Sequence, residues 1–438
     1  MNTLPYPSED RRPFSDLVGA KVGAIWRFLR SEPASFWLVN IYLFFEYVRP
    51  QSIWTSIDVL PWAETVLILA VAAVLVEGKL PRVRTAVGGL LLVYSVIVLL
   101  SSFTAIYPSA SVAGWKLYFS WVLIFFVITA TVTTEKRFFI FMLAFLLYSF
   151  KMSQHGFRTW LSNGFGFSSW GATGAPGWFQ NSGEFGIQMC IFLPLSVEFI
   201  LALRSRWGRW KRLFFYAMPI TAVASMVASS SRGALIGGAA VGLWWILRSR
   251  HRVRALLITA LLTAATWLVV PQQQKDRFST AGEDQTSVNR LDRWKAGIKM
   301  AQQHPALGIG YHNWELYYGP LPHNIFIQAW SEMGYSGLLA FLALIVATFL
   351  VNARTRRLLK RIPRDTVFLR HMAHGLDGAL IGFMASGFFV TVLYYPFFWI
   401  NLAMTVSVHV AARNTAREAR AVEARKSAGT RLPSPVRA

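Results

Sequence analysis

Recurrent runs of about twenty apolar residues are the feature that most constrains this chain, because a helix needs about that length to cross the hydrocarbon core of a bilayer. Inside lipid a helix satisfies its own backbone hydrogen bonds. Hydrophobic residues make up 54% of the sequence and charged residues only 15%, against about 25% charged in ordinary soluble domains. The clearest runs are 86–106, 117–132, 184–203, 255–270, 338–351 and 375–393. The sequence therefore predicts an all-α, polytopic membrane protein.

The basic residues predict its orientation. Of the 44 Lys and Arg residues, 33 lie in the two tails and in alternate loops, and the other 11 lie in the remaining loops. Basic loops and termini prefer the cytoplasmic side of a membrane, so we expect both ends of the chain there. The formal charge of +23 then follows from topology, and no nucleic-acid partner is expected.

We predict twelve transmembrane helices. Residues 1–34 form a cytoplasmic segment without a cleavable signal peptide, residues 35–412 the transmembrane domain, and residues 413–438 a polar, disordered cytoplasmic tail. The single Cys190 lies in an apolar run, which excludes an intramolecular disulfide and a cysteine metal cluster. The predicted spans are 35–48, 62–77, 86–106, 115–133, 138–150, 183–203, 213–231, 233–247, 255–270, 323–352, 372–393 and 396–412.

Two long segments remain on the opposite, outer side of the membrane, at about 151–182 and 271–322. Long loops in compact proteins usually carry function. The first is rich in glycine and aromatic residues over 163–181, which fits either an aromatic belt at the membrane surface or a contact with glycan. The second contains a predicted amphipathic helix over 290–303.

Arg232 lies in the sequence ASSSRG (228–233), at the predicted outer turn between two spans. An arginine there opposes the charge trend of the other loops. It either extends to solvent past apolar surface or, together with the N-terminus of the following helix, binds phosphate oxygens.

Arg290, Arg293 and Trp294 begin the predicted loop helix, and their spacing alone also fits a solvated basic face. His323 and Asn324 stand where the long loop re-enters the membrane. A histidine at that boundary is neutral near pH 7 and can act as a general base. It can equally cap a helix or lie at the interface without chemistry.

Several common catalytic patterns are missing from the sequence. It has no Asp-x-Asp pair, no glycine-rich phosphate loop with lysine, and no histidine and carboxylate cluster at metal-ligand spacing. We therefore expect neither a metal nor a cofactor, which disfavours a metal-dependent nucleotide-sugar transferase and an ATP-driven machine. Arginines would have to neutralise any departing diphosphate.

Four motifs in order resemble the O-antigen ligase and polymerase superfamily of bacterial membranes. The resemblance covers roughly residues 180–350 and includes WFQNSGEFGIQ at 178–188. Residues 44–64, FFEYVRPQSIWTSIDVLPWAE, further resemble the exosortase-associated branch of O-glycosylation ligases. The four motifs are SSSRG (229–233), R-x-x-x-W (290–294), HPALGIG (304–310) and LPHNIFIQAWSEMGYSGLLAFL (321–342).

The resemblance implies a glycosyltransferase of the inner membrane, acting in lipopolysaccharide biosynthesis with its site facing the periplasm. Such enzymes move a glycan from undecaprenyl diphosphate to an acceptor hydroxyl, usually on the lipid A core, without metal or nucleotide. By the same resemblance, Arg232 and Arg290 bind the diphosphate, with Arg293 able to replace Arg290. His323 would be the base, supported by Asn324, in an inverting transfer.

Three other functions stay open. An O-antigen or exopolysaccharide polymerase uses the same donor but extends a second lipid-linked chain, and a protein O-oligosaccharyltransferase uses a protein acceptor. A secondary transporter belongs to a different class and would need coupling charges within the membrane. The candidates for such charges are Glu46, Glu184, Glu198 and Asp377.

Overall fold

The computed structural model describes residues 14–19, 21–80, 83–166, 171–269, 272, 275, 285–363 and 365–429. Helices account for 80% of the protein, and the described residues contain no strand. In chain order the helices are α1 Phe14–Val18, α2 Val22–Ser31, α3 Ala34–Leu43, α4 Pro50–Ile53, α5 Trp62–Val76, α6 Ala86–Phe103, α7 Pro108–Thr131, α8 Glu135–Ser162, α9 Ser182–Leu203, α10 Arg209–Ala228, α11 Arg232–Arg248, α12 Arg252–Val269, α13 Gln285–Gln303, α14 Trp314–Tyr318, α15 Ile325–Lys360, α16 Val367–Gly387 and α17 Pro396–Gly429.

Within these ranges, five helices are long and apolar enough to cross a membrane by length and composition, namely α6, α7, α8, α15 and the segment Ser182–Arg206 that contains α9. The all-helical prediction is confirmed. Each predicted span coincides with a helix over most of its length, the first one continuing from α3 into a π-helical turn at Phe44–Val48. The span predicted at 372–393 was too long, because α16 ends at Gly387. The number of twelve crossings and the cytoplasmic position of both ends stay predictions.

Helix α8 continues to Ser162, although residues from 151 onward were predicted to form a loop. Met152, Gly156 and Trp160 recur every fourth residue and are all buried, so they form one packed helical face. Gly156 permits close contact with α9, because a methyl group added there would lie 2.5 Å from Cζ of Phe185.

Helix α17 also continues beyond its predicted limit, to Gly429, where disorder was expected from residue 413. The extension is rich in Ala, Arg and Glu, which favour helix. Ala416 is buried in it. Residues 430–438 lie outside the described part of the chain.

Helix α15 is broken at Gly334, which has φ 64° and ψ −163°. Such backbone angles are accessible to glycine and rarely to other residues. The HPALGIG segment fills the break: Ile309 N–H donates to Ser331 O at 2.9 Å, and Gly310 N–H donates to Glu332 O at 3.0 Å. The long loop is thereby joined to α15 near its start.

Candidate functional site

The three serines of SSSRG form the turn between α10 and α11. Ser229 Oγ donates to Met226 O at 2.7 Å and closes α10. Ser230 adopts the left-handed conformation with φ 55°. Ser231 Oγ then caps α11 by accepting from Ala234 N–H at 3.3 Å. The turn places half-buried Arg232 at the first position of α11, where the N–H groups of a first helical turn and the helix dipole favour anions.

The segment before His323 is held by three side chains. Trp314 Nε1 donates to Pro320 O at 2.9 Å. From α13, Arg293 Nη1 donates to Leu321 O at 3.1 Å, and Trp294 Nε1 donates to Pro322 O at 2.9 Å. These bonds involve three successive carbonyl groups, so the backbone leading into His323 is fixed.

His323 itself has a left-handed backbone with φ 52°, an unusual conformation for a residue with a side chain. Its N–H donates to Thr391 Oγ1 at 2.8 Å. Asn324 Oδ1 accepts from Phe326 N–H at 2.9 Å and from Ile327 N–H at 3.1 Å and so caps α15. Strained backbone of this kind concentrates at functional sites.

The electrostatic environment keeps the His323 imidazole neutral. Burial, followed by the positive charges of Arg290 and Arg293, lowers the pKa of His323 from 6.5 to about 4. Each of these causes disfavours the protonated ring. Both arginines are half-buried and lie close enough to influence His323, so the structure brings three of the predicted site residues together.

Residues 388–395, called the connector here, join α16 to α17 and contact both regions. Thr391 accepts the bond from His323, and the ring centroid of Phe388 lies 5.1 Å from that of Trp294. A methyl group added at Gly233 would lie 3.1 Å from Cβ of Phe389. The start of α11 therefore lies at the same connector as His323, which places Arg232 in that neighbourhood.

Four helix N-termini meet around the connector. Those of α11 and α15 are described above, and α17 begins directly after it. At α9, a methyl group added at Gly183 would lie 3.4 Å from Cγ2 of Val390. Helix N-termini carry partial positive charge, so the dipoles reinforce the arginines in favouring an anionic ligand.

Comparison with protein families adds a further finding. Residues 217–342, less than a third of the chain, match the family described as O-antigen ligase. This match supports a relationship of that part of the chain to the O-antigen ligase superfamily. Residues 21–197 match a second family, whose function is unknown (DUF5935).

No curated protein matches the chain. One solved structure, titled "Structural coordination of polymerization and crosslinking by a peptidoglycan synthase complex", is 18% identical and aligns over 76% of this chain and 97% of its own, with a TM-score of 0.39. That similarity is too low to carry an argument. The family match points to a membrane glycan ligase or polymerase with glycosyltransferase-type activity, and the five long apolar helices are consistent with a membrane protein.

The O-antigen ligase match includes Arg232, Arg290, Arg293, His323 and Asn324. Sequence reasoning did not find the connector, which lies beyond this match. Nor did it find the function of Glu332 in the motif HN-x7-E-x-G. Glu332 Oε1 accepts from Trp314 N–H at 3.0 Å, and its Oε2 accepts from the hydroxyl of Tyr394. Glu332 thus ties α15 to the connector.

The four candidate coupling carboxylates separate into two places. Glu198 pairs with Arg248 at 2.8 Å, and Asp377 pairs with Arg356 at 2.5 Å. Glu46 and Glu184 instead accept hydrogen bonds from Trp178 and Tyr395, whose rings pack together. In the described ranges, no three His, Cys, Asp or Glu side chains are grouped as metal ligands.

Proposed function

We propose that this chain transfers a glycan from undecaprenyl diphosphate to a hydroxyl group of the lipid A core, at the periplasmic face of the bacterial inner membrane. The supporting observation is that Arg290 and Arg293 lie near His323, and that His323 and the start of α11 both contact one short connector. The match to the O-antigen ligase family supplies the reaction class, and the arrangement supplies groups suited to a diphosphate and a proton.

Arg232 and Arg290 bind the diphosphate in this proposal. A guanidinium group donates two parallel hydrogen bonds to phosphate oxygens, and the N-terminal dipoles add to its charge. Arg293 already donates to Leu321 O, so we assign it to holding the segment before His323. At a partly dehydrated membrane boundary, fixed positive groups stabilise a departing diphosphate far better than in bulk water.

His323 accepts the proton of the acceptor hydroxyl. The hydroxyl oxygen then attacks the anomeric carbon from the face opposite the diphosphate, the bond between that carbon and the phosphate oxygen breaks, and undecaprenyl diphosphate leaves. The configuration is inverted. The negative charge of a bound donor raises the pKa of a nearby imidazole, so the donor should bind before the proton moves. The reaction requires no metal ion or nucleotide.

The test is transfer by purified protein in liposomes that contain a lipid-linked glycan. Lipid A core, a second lipid-linked unit and an acceptor protein are supplied in separate reactions, with His323→Gln as the inactive control. Product on the lipid A core is expected. Product only on the second lipid-linked unit would mean a polymerase, and product only on protein would mean a protein O-oligosaccharyltransferase. Solute uptake without any transfer would identify a transporter.

A further inference from the structure

A group of aromatic and charged side chains lies at the C-terminal end of the connector. The ring of Tyr395 packs on that of Trp178 with centroids 4.9 Å apart. Trp178 Nε1 donates to Glu46 Oε1, and the Tyr395 hydroxyl donates to Glu184 Oε1 at 2.8 Å. Two carboxylates from distant parts of the chain therefore flank one aromatic pair.

Arg49 also belongs to this group, next to Trp178. Its guanidinium carbon lies 5.9 Å from the centroid of the Trp178 ring. It also lies close to Gly177, where an added methyl group would be 2.5 Å from Cζ of Arg49. Arg49 has a left-handed backbone with φ 51°. Among the described residues with side chains, only five have positive φ, and three of these are Arg49, Ser230 and His323.

Two buried polar atoms of this group have no hydrogen-bond partner among the residues that the structure describes. They are Nε of Arg49 and Oε2 of Glu184, a residue whose exposed fraction is 9%. Buried polar atoms are normally paired, and leaving one unpaired costs free energy. One is a donor and the other an acceptor, so a ligand with hydroxyl groups could satisfy both.

The group also offers surface to such a ligand, because Arg49, Trp178 and Tyr395 are only partly buried. Small-molecule sites combine apolar or aromatic surface with a few fixed polar groups. A sugar ring matches this combination: its C–H faces pack on aromatic rings, and its hydroxyls both donate to carboxylates and accept from guanidinium groups.

The connector sets the distance between this group and His323. Thr391, which holds His323, is four residues from Tyr395, and four residues span at most about 14 Å. A turn shortens the path, since Tyr395 N–H donates to Val392 O at 3.2 Å. A glycan of a few sugars whose reacting end is at His323 could therefore reach Trp178.

We propose that Arg49, Trp178 and Tyr395, with Glu46 and Glu184, form a carbohydrate subsite that holds a sugar ring of the glycan next to the His323 site. The subsite rests on the proposed function for its relevance to transfer. Its ligand chemistry, a pyranose with free hydroxyls, can come from the donor glycan or from the acceptor glycan. A tryptophan and an arginine that serve folding alone would not affect sugar binding.

Binding is measured first, without turnover. The probe is the free oligosaccharide released by mild acid from the lipid-linked glycan, titrated into detergent-purified full-length protein by calorimetry. Trp178→Ala and Arg49→Gln should weaken binding at least about tenfold, equivalent to about 1.4 kcal/mol. Trp178→Phe keeps a packed ring and should weaken it less. Trp210→Ala is the matched control. Trp210 is 77% exposed on α10, and the Trp210→Ala variant should bind the oligosaccharide with normal affinity.

Transfer kinetics then identify the source of the sugar. A rise in KM for the lipid-linked donor in Trp178→Phe, with kcat within about twofold, assigns the subsite to the donor glycan, and a rise in KM for the acceptor assigns it to the acceptor glycan. Unchanged oligosaccharide affinity in folded Trp178→Ala and Arg49→Gln proteins would overturn the subsite, whatever the transfer activity. If Trp178-dependent binding were found without transfer to any acceptor, the proposed function would fail and the sugar site would stand.

Discussion

The acid limb of the pH profile tests His323 as the proton acceptor. Its pKa is lowered from 6.5 to about 4, so at pH 5.5 about 97% of the free enzyme carries a neutral imidazole. A histidine with the ordinary pKa would be about 9% neutral at the same pH. We therefore expect kcat/KM, which reports the free enzyme, to change little between pH 7.5 and 5.5. It should fall only as the pH approaches 4.

Charge removal near His323 should move this limb in a known direction. Burial is the largest cause of the low pKa, followed by Arg290 and then Arg293. Arg290→Gln and Arg293→Gln should each move the limb upward, with the larger movement for Arg290→Gln. Both limbs should stay below 6.5, because burial remains.

The assay measures initial rates of transfer in liposomes over pH 4–8, with donor far below its KM for kcat/KM and saturating for kcat. Because a bound diphosphate raises the pKa of the imidazole, the limb of kcat should lie above that of kcat/KM. A roughly tenfold loss of kcat/KM between pH 7.5 and 5.5 would refute the reasoning. So would near-normal turnover in His323→Gln.

Three further predictions concern the diphosphate-binding Arg232, metal dependence and the break in α15. Arg232→Ala should lower kcat about 100-fold or more, as expected for loss of a transition-state donor. Arg232→Lys should retain more activity than Arg232→Ala but less than wild type, because lysine lacks the bidentate geometry. Equal activity of Arg232→Ala and wild type would remove Arg232 from the site. EDTA should leave transfer unchanged, and a loss reversed by Mg²⁺ would indicate a metal-dependent mechanism. Gly308→Ala should destabilise the protein by about 2 kcal/mol or more, because its added methyl group would lie 2.4 Å from the Glu332 carbonyl carbon, and thermal inactivation measures the effect. Gly78→Ala is the control, since Gly78 has a similar φ of 63° and an added methyl group there would meet no atom within 4 Å. Equal losses of stability in the two variants would contradict the contact argument.

Hydropathy predicted where the helices lie, because burial in lipid demands long apolar runs regardless of which helices pack together. It did not predict the break at Gly334. Residues 323–352 read as one apolar run, and the carbonyl groups freed by the break are satisfied by Ile309 and Gly310, whose pairing is tertiary. Hydropathy also missed the continuation of α8 to Ser162. The buried residues of that segment alternate with polar residues such as Lys151 and Arg158, which interrupt the apolar run.

The motifs predicted Arg290, Arg293 and His323 as neighbours, and the structure places them together. Their chemical roles stay predictions. Motif reasoning could not assemble the proposed carbohydrate subsite, because its hydrogen bonds join residues 46 to 178 and 184 to 395. A local pattern carries no information on such pairs. The sequence offered two separate signals: the aromatic segment 163–181, which contains Trp178 and had a glycan contact as one of its two interpretations, and the carboxylates Glu46 and Glu184 in otherwise apolar segments.

The connector has a consequence for how this protein can be recombined. It lies outside both matched ranges, 21–197 and 217–342, yet its residues bond to His323, Glu332 and Glu184. A chimera that exchanges either range with a relative's would leave these side chains facing a foreign partner. Engineering a hybrid with altered glycan preference therefore requires transplanting the eight residues of 388–395 together with the part that is exchanged.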